Sequence, residues 1–185
     1  MYAAVVALPA MAGAQEESRN RVAAHTDWSV FEKPESCSTD VGDGGECPAD
    51  SVLPHQCWSV SAPEETVNTR DGRVVAVRRG DILLFVSFVP NSNVAGQISF
   101  TGGYPFDDGS TVTLTVGDNS FDLFTQGEMA WAQDESDDAR IIEAMKAGAE
   151  AVLVGESSRG TKTEDTFSLF GFTAAVDEAA ERCSS

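Results

Sequence analysis

The 185 residues carry 30 acidic against 12 basic side chains, a formal charge of −18, with 42% hydrophobic residues and four cysteines. That apolar content supports one ordinary core, and a chain of this size buries roughly 70% of its unfolded surface, so it needs no metal or cofactor to be stable. The acidic balance argues against nucleic acid or anionic lipid as a partner, because phosphate binding depends on positive local potential.

Residues 2–14 form an Ala- and Val-rich run without a charge, closing on Ala12-Gly13-Ala14 before the polar Gln15-Glu16-Glu17. This is the apolar region and A-x-A cleavage site of a secretory signal, so residues 1–14 are expected to be removed after Ala14, although no basic segment precedes the run. The run is too short to span a bilayer and no later segment is long and apolar enough. The mature chain is therefore expected without a transmembrane span, in the periplasm, secreted, or attached peripherally to the outer membrane. Residues 15–26 read as a flexible lead-in, and a single domain is expected over residues 27–183.

Trp28-Ser29-Val30-Phe31 begins that domain as a short strand. Residues from about 34 to 56 are rich in Gly, Pro, Asp and Ser and read as a long loop carrying Cys37 and Cys47. Its Asp40, Asp43, Glu46 and Asp50 miss the spacing of a calcium loop and read as a solvated acidic face. From Cys57 the period becomes two: Trp58, Val60 and Ala62 alternate with Ser59 and Ser61, and Pro63 ends the strand. A turn over residues 68–73 leads to a strand containing Val74, Val75 and Val77. Residues 82–89 are almost continuously apolar and branched, which predicts a central strand covered on both faces. Gln97-Ile98-Ser99-Phe100 follows as a strand. Thr111 to Val116 alternates strictly, with Val112, Leu114 and Val116 on one face, and Gly117-Asp118-Asn119-Ser120 turns it into Phe121-Asp122-Leu123-Phe124.

Two stretches read as helix. Ser136-Asp137-Asp138 offers an N-cap with acids in the first turn, Ile141, Ile142 and Met145 form a stripe, and Gly148 is a stop. Residues 173–182 have Ala175, Val176, Ala179 and Cys183 at helical spacing. Ala151-Val152-Leu153-Val154 and Thr166-Phe167-Ser168-Leu169 are strands between them. The pattern predicts a mainly β fold, an antiparallel β-sandwich or partly open barrel with two packed helices.

Chemistry-bearing groups are sparse. Four cysteines in an exported chain predict disulfides and leave three pairings open. There is no C-x-x-C pair, and His25 and His55 lack ligand spacing to each other or to the cysteines, so no metal site is expected. No glycine-rich segment leads into a phosphate-binding helix, so no cofactor is expected. No serine lies in a G-x-S-x-G elbow, which leaves catalytic residues unassigned and a hydrolase only as an alternative, with His25 or His55 reaching a Ser and Asp across the sheet. Arg70, Arg73, Arg78 and Arg79 form a basic patch that reads as charge balance. Arg79-Gly80-Asp81 spells an adhesion tripeptide, but at the entry to a buried strand rather than on a displayed loop. Gly102, Gly103, Tyr104, Pro105 and Phe106, with Trp131, are the candidate binding surface, against the competing reading that these rings plug the open end of the sandwich.

Cys57-Trp58, the run from Arg73 to Val86, Phe100-Thr101-Gly102-Gly103-Tyr104-Pro105-Phe106, Ala130-Trp131-Ala132, Arg159-Gly160-Thr161 and the run from Phe167 to Ala175 stand in one order along the chain. Together they resemble the invasion-associated locus B family of bacterial envelope proteins, from about Trp28 to Cys183. The resemblance implies a Cys57–Cys183 disulfide and places Cys37 and Cys47 in an inserted loop, where they would pair with each other. It brings no catalytic residues. It implies a non-enzymatic protein whose partner is another envelope or host macromolecule, with a part in host-cell invasion or in general envelope function.

Overall fold

A computed structural model describes residues 20–34, 36–37, 52–53 and 55–184. The expected signal sequence, Cys47 and the acidic stretch around Asp43 lie outside the described residues, so the expected cleavage and the Cys37–Cys47 pairing have no structural counterpart here.

The alternating segments become strands: β1 (Arg21–His25), β2 (Trp28–Lys33), β3 (Ser36–Cys37), β4 (Val52–Leu53), β5 (Gln56–Ser61), β6 (Glu65–Arg70), β7 (Arg73–Val74), β8 (Leu83–Val89), β9 (Val94–Thr101), β10 (Thr111–Val116), β11 (Asn119–Gln126), β12 (Met129–Trp131), β13 (Glu150–Glu156) and β14 (Lys162–Ser168). Among the described residues two α-helices, α1 (Glu135–Ala147) and α2 (Phe172–Arg182), pack against these strands. Twelve strands make one antiparallel sheet in the order β1-β2-β5-β8-β9-β12-β11-β10-β13-β14-β6-β7, and β3 pairs with β4 separately. β1 and β7 are the edges, so the sheet does not close into a barrel. It does curl until distant strands meet. The Trp28 indole N–H of β2 donates to the Ser168 carbonyl of β14 at 2.9 Å, and the Asp27 amide donates to the Phe170 carbonyl at 3.3 Å.

Val112, Leu114 and Val116 of β10 all face the core, as strict alternation demands. β8 has Leu84 and Val86 fully buried on that face and half-buried Leu83 and Phe85 on the other, which explains its unbroken apolar run. Helix α1 packs on β9 through the Ile141 and Met145 stripe. Its cap is Asp134 rather than Ser136: the Asp134 carboxylate accepts from the amides of Ser136 and Asp137, because a carboxylate placed just before the first turn reaches both orphan N–H groups. Asp138 instead accepts from the Ile98 amide at 2.7 Å, tying α1 to β9, and burial pushes its carboxyl above the ordinary value.

Two expectations need correction. The lead-in is not all irregular, since Arg21–His25 pairs with β2 through a turn in which Thr26 is left-handed at φ 53°. The segment after Arg73 is a strand for only two residues, and Val74 is 78% exposed, because the chain leaves the sheet edge to cross its open end. The alternation of β5, which left its inward face open, is resolved by the fold. Cys57, Ser59 and Ser61 lie on the face of the core cluster, while half-buried Trp58 and Val60, itself only 3% exposed, lie on the opposite face. Helix α2 packs directly on β2 and β5, and small β5 side chains opposite Ala175 and Ala179 let the backbones approach. Ser59 fits this position by its small size, and its buried hydroxyl has no hydrogen-bond partner among the described residues.

Candidate functional site

The open end of the curled sheet is plugged by the 102–106 turn. Gly103 has φ 70°, and a Cβ there would lie 2.6 Å from the Gly80 carbonyl oxygen, so the two chains cross only because that position is glycine. The Gly80 amide donates to the Gly103 carbonyl. This crossing turns Phe106 inward, 3% exposed and against Phe100, with half-buried Tyr104 edge-on to it and its hydroxyl on Thr163. Gly102 is buried and Pro105 exposed. Phe106 is therefore part of the plug, while Tyr104 stays half-buried and lines a surface hollow with Gly103 and Pro105.

At its centre sits a pair that the sequence does not announce. Arg79 donates through Nη1 and Nη2 to both carboxylate oxygens of Asp165 at 2.7 and 2.6 Å, and through Nε to the Gly102 carbonyl. Its guanidinium lies 4.9 Å from the Tyr104 ring centroid. Asp165 is fully buried and the Arg79 side chain 6% exposed. Burial pushes the Asp165 carboxyl above its ordinary value, and the two guanidinium hydrogen bonds oppose that. Arg79 is thus an internal ion-pair member, neither charge balance nor the first residue of a displayed adhesion tripeptide. The available signal was Asp165 itself, an acid at an inward position between Thr163 and Phe167 in β14.

The outward face of β2, β5 and β8 holds a groove of about 820 Å³. Register builds it: Ser29 lies beside Val60 and Val60 beside Phe85, while Phe31 lies beside Trp58. Phe31 and Trp58 stack with centroids 5.4 Å apart and planes 5° apart. Arg21, Asp27, Glu64 and Asp81 supply charges of both signs around this apolar floor. Trp131 lies elsewhere, stacked on 39% exposed Phe124 across β11 and β12 and bordering a second hollow with Gln97, Gln126 and Asp138.

The histidines are occupied at the other side of α2. Cys57 and Cys183 form a disulfide with Cα atoms 5.8 Å apart. His55 Nε2 lies 3.6 Å from the Cys57 sulfur and 3.2 Å from Glu32. Arg182 bridges Glu32 and Glu178, and Glu178 also meets His25. The three side chains His55, Cys57 and Cys183 lie close enough to suggest a metal site, but both sulfurs are spent on the disulfide. Gly171, at φ 87°, starts α2 where a Cβ would lie 1.9 Å from the His25 carbonyl oxygen, so this glycine brings the β1–β2 turn against the helix.

This cluster gives a pH prediction. The Arg182 hydrogen bond foremost holds Glu32 below its ordinary 4.5, and the His25 hydrogen bond, then Arg182, does the same for Glu178. Lowered carboxylate values mean a stabilisation fully present above 4.5 and lost as the pH falls through the folded-state values. Arg182→Ala should therefore cost about 1 kcal/mol or less at neutral pH, since the groups are partly solvated, and the difference from the parent should shrink on acidification. Urea midpoints at neutral and acidic pH measure it; an equal difference at both would be the contrary result.

A family model described as "Invasion associated locus B (IalB) protein" matches residues 46–180. No curated protein matches the sequence. Among solved structures, the crystal structure of invasion associated protein B from Bartonella henselae is similar at a TM-score of 0.51 and 16% identity, covering 88% of this chain and 98% of that one. That likeness is one of fold.

Proposed function

The chain belongs to the invasion-associated locus B family, and from that premise we propose that it is an exported, non-enzymatic binding protein of the bacterial envelope whose partner is another envelope or host macromolecule. The observation that carries the reading is the groove on β2, β5 and β8, where stacked Phe31 and Trp58 lie within a rim of mixed charge. Aromatic anchors ringed by polar groups are the usual composition of a recognition surface. Export is supported by the Cys57–Cys183 disulfide, a bond that persists in oxidising compartments. No helix among the described residues is long and apolar enough to cross a membrane. A part in invasion is suggested by the name of the similar Bartonella henselae protein, and a general envelope role fits the same groove.

Capture from envelope and host-cell extracts tests the reading. Trp58→Ala is expected to weaken binding by about 2 kcal/mol or more if it is an anchor. Ala62→Glu, at an exposed position lining the groove, should block it without touching the core, and Trp131→Ala reports on the second aromatic stack. Turnover in a hydrolase screen that disappears with His25→Ala or His55→Ala would overturn the non-enzymatic reading.

A further inference from the structure

The basic patch divides in three dimensions. Arg79 is paired with Asp165, whereas Arg70 and Arg78 are exposed and converge with Arg159, from the turn between β13 and β14, on a hollow of about 290 Å³ that the plug residues Gly103, Tyr104 and Pro105 border and whose wall Arg79 also joins. Arg70 donates to the Thr161 hydroxyl at 2.6 Å, which orients its guanidinium on the wall. Arg78 and Arg159 make no ion pair among the described residues. Ser157, Ser158 and Thr161 add hydroxyls, and the turn that carries them is held by the Ser157 amide on the Thr161 carbonyl and the Gly160 amide on the Ser157 carbonyl. Glu128 is the acidic side chain in this lining, which holds four arginines; with Arg79 neutralised by Asp165, three guanidinium groups face one carboxylate.

Three like charges gathered in one concavity repel each other, and in a chain of charge −18 there is no shortage of acids to neutralise them. A fixed turn with hydroxyls and unpaired guanidinium forks is the donor arrangement that suits a tetrahedral oxyanion. We propose that this hollow binds the phosphate group of a small, soluble phosphorylated molecule, with Arg78 and Arg159 as charged donors, Arg70 held by Thr161 as the third, and Glu128 accepting from a hydroxyl of the same ligand. The overall negative charge disfavours a phosphate held in an anionic membrane, since the rest of the surface would be repelled. The volume admits a ligand of sugar-phosphate size.

Titration of the full chain followed by amide NMR tests this with inorganic phosphate, glycerol 3-phosphate and glycerol, and by flotation with phosphatidic acid vesicles. Saturable shifts are expected at residues 157–161 with both phosphates, tighter for glycerol 3-phosphate, and none with glycerol. Arg78→Gln with Arg159→Gln should weaken binding at least about tenfold through two lost charge-assisted hydrogen bonds. Both side chains are exposed, so the spectrum elsewhere should be unchanged. Binding to inorganic phosphate without preference for the ester, saturation that survives the double substitution, no saturation by either phosphate, or binding seen with vesicles alone would each overturn the proposal.

Discussion

Replacing Cys57 and Cys183 together by alanine is expected to lower stability by about 5 kcal/mol in the chain-entropy model, in which the cost follows the length of the closed loop. The bond spans 126 residues. It joins β5 to the end of α2, and without it the unfolded chain regains the freedom that the long loop removes. A domain has about 5–15 kcal/mol in total, so the variant should be marginal or unfolded at 37 °C. Alanine avoids adding another unsatisfied hydroxyl beside Ser59. Urea unfolding of the oxidised parent, the reduced parent and the variant measures the effect. The reduced parent should resemble the variant. A midpoint that barely moves would mean that Phe172, Ala175, Val176 and Ala179 hold α2 in place by packing alone.

Arg79→Met should cost about 3–5 kcal/mol, the range for removing one member of a buried ion pair. The fully buried Asp165 would lose both guanidinium hydrogen bonds, and Gly102 would lose the donor to its carbonyl. A double replacement, Arg79→Met with Asp165→Leu, should recover much of the loss, because it removes the uncompensated charge along with its partner. The pH response has a definite sign. Without Arg79 the buried carboxyl is pushed further up, so its penalty is absent below the unfolded-state value and grows as the pH rises toward the folded-state one. The variant should therefore lie closest to the parent in acid. Thermal unfolding of the two singles and the double across pH decides it, and equal losses in singles and double would reject a compensating pair.

These two devices differ in how far the residues themselves reveal them. The disulfide was legible through resemblance, because Cys57-Trp58 and the chain end around Cys183 stand in the family's order; composition alone left three pairings. Arg79 was visible only as part of a basic run and of an adhesion tripeptide, and nothing local connects it to Asp165, 86 residues away. Tyr104 and Phe106 were recognisable as unusual for a turn. Whether they plugged the fold or faced a partner depended on the Gly80–Gly103 crossing.

By itself the sequence determined the elements whose signal is short-range: the alternation of β10, the doubly apolar β8, the two helices with their apolar stripes, and the ordered motifs that mark the family. Period-two alternation states that a strand has two faces, and it does not say which one meets the core. On β5 the larger side chains lie outside because α2 needs the small ones beneath it, and α2 arrives from more than a hundred residues later. The same limit applies to charge. The value of a guanidinium is set by the groups that surround it after folding, so only the tertiary structure separated Arg79, desolvated against Asp165, from Arg70, Arg78 and Arg159, left facing one hollow.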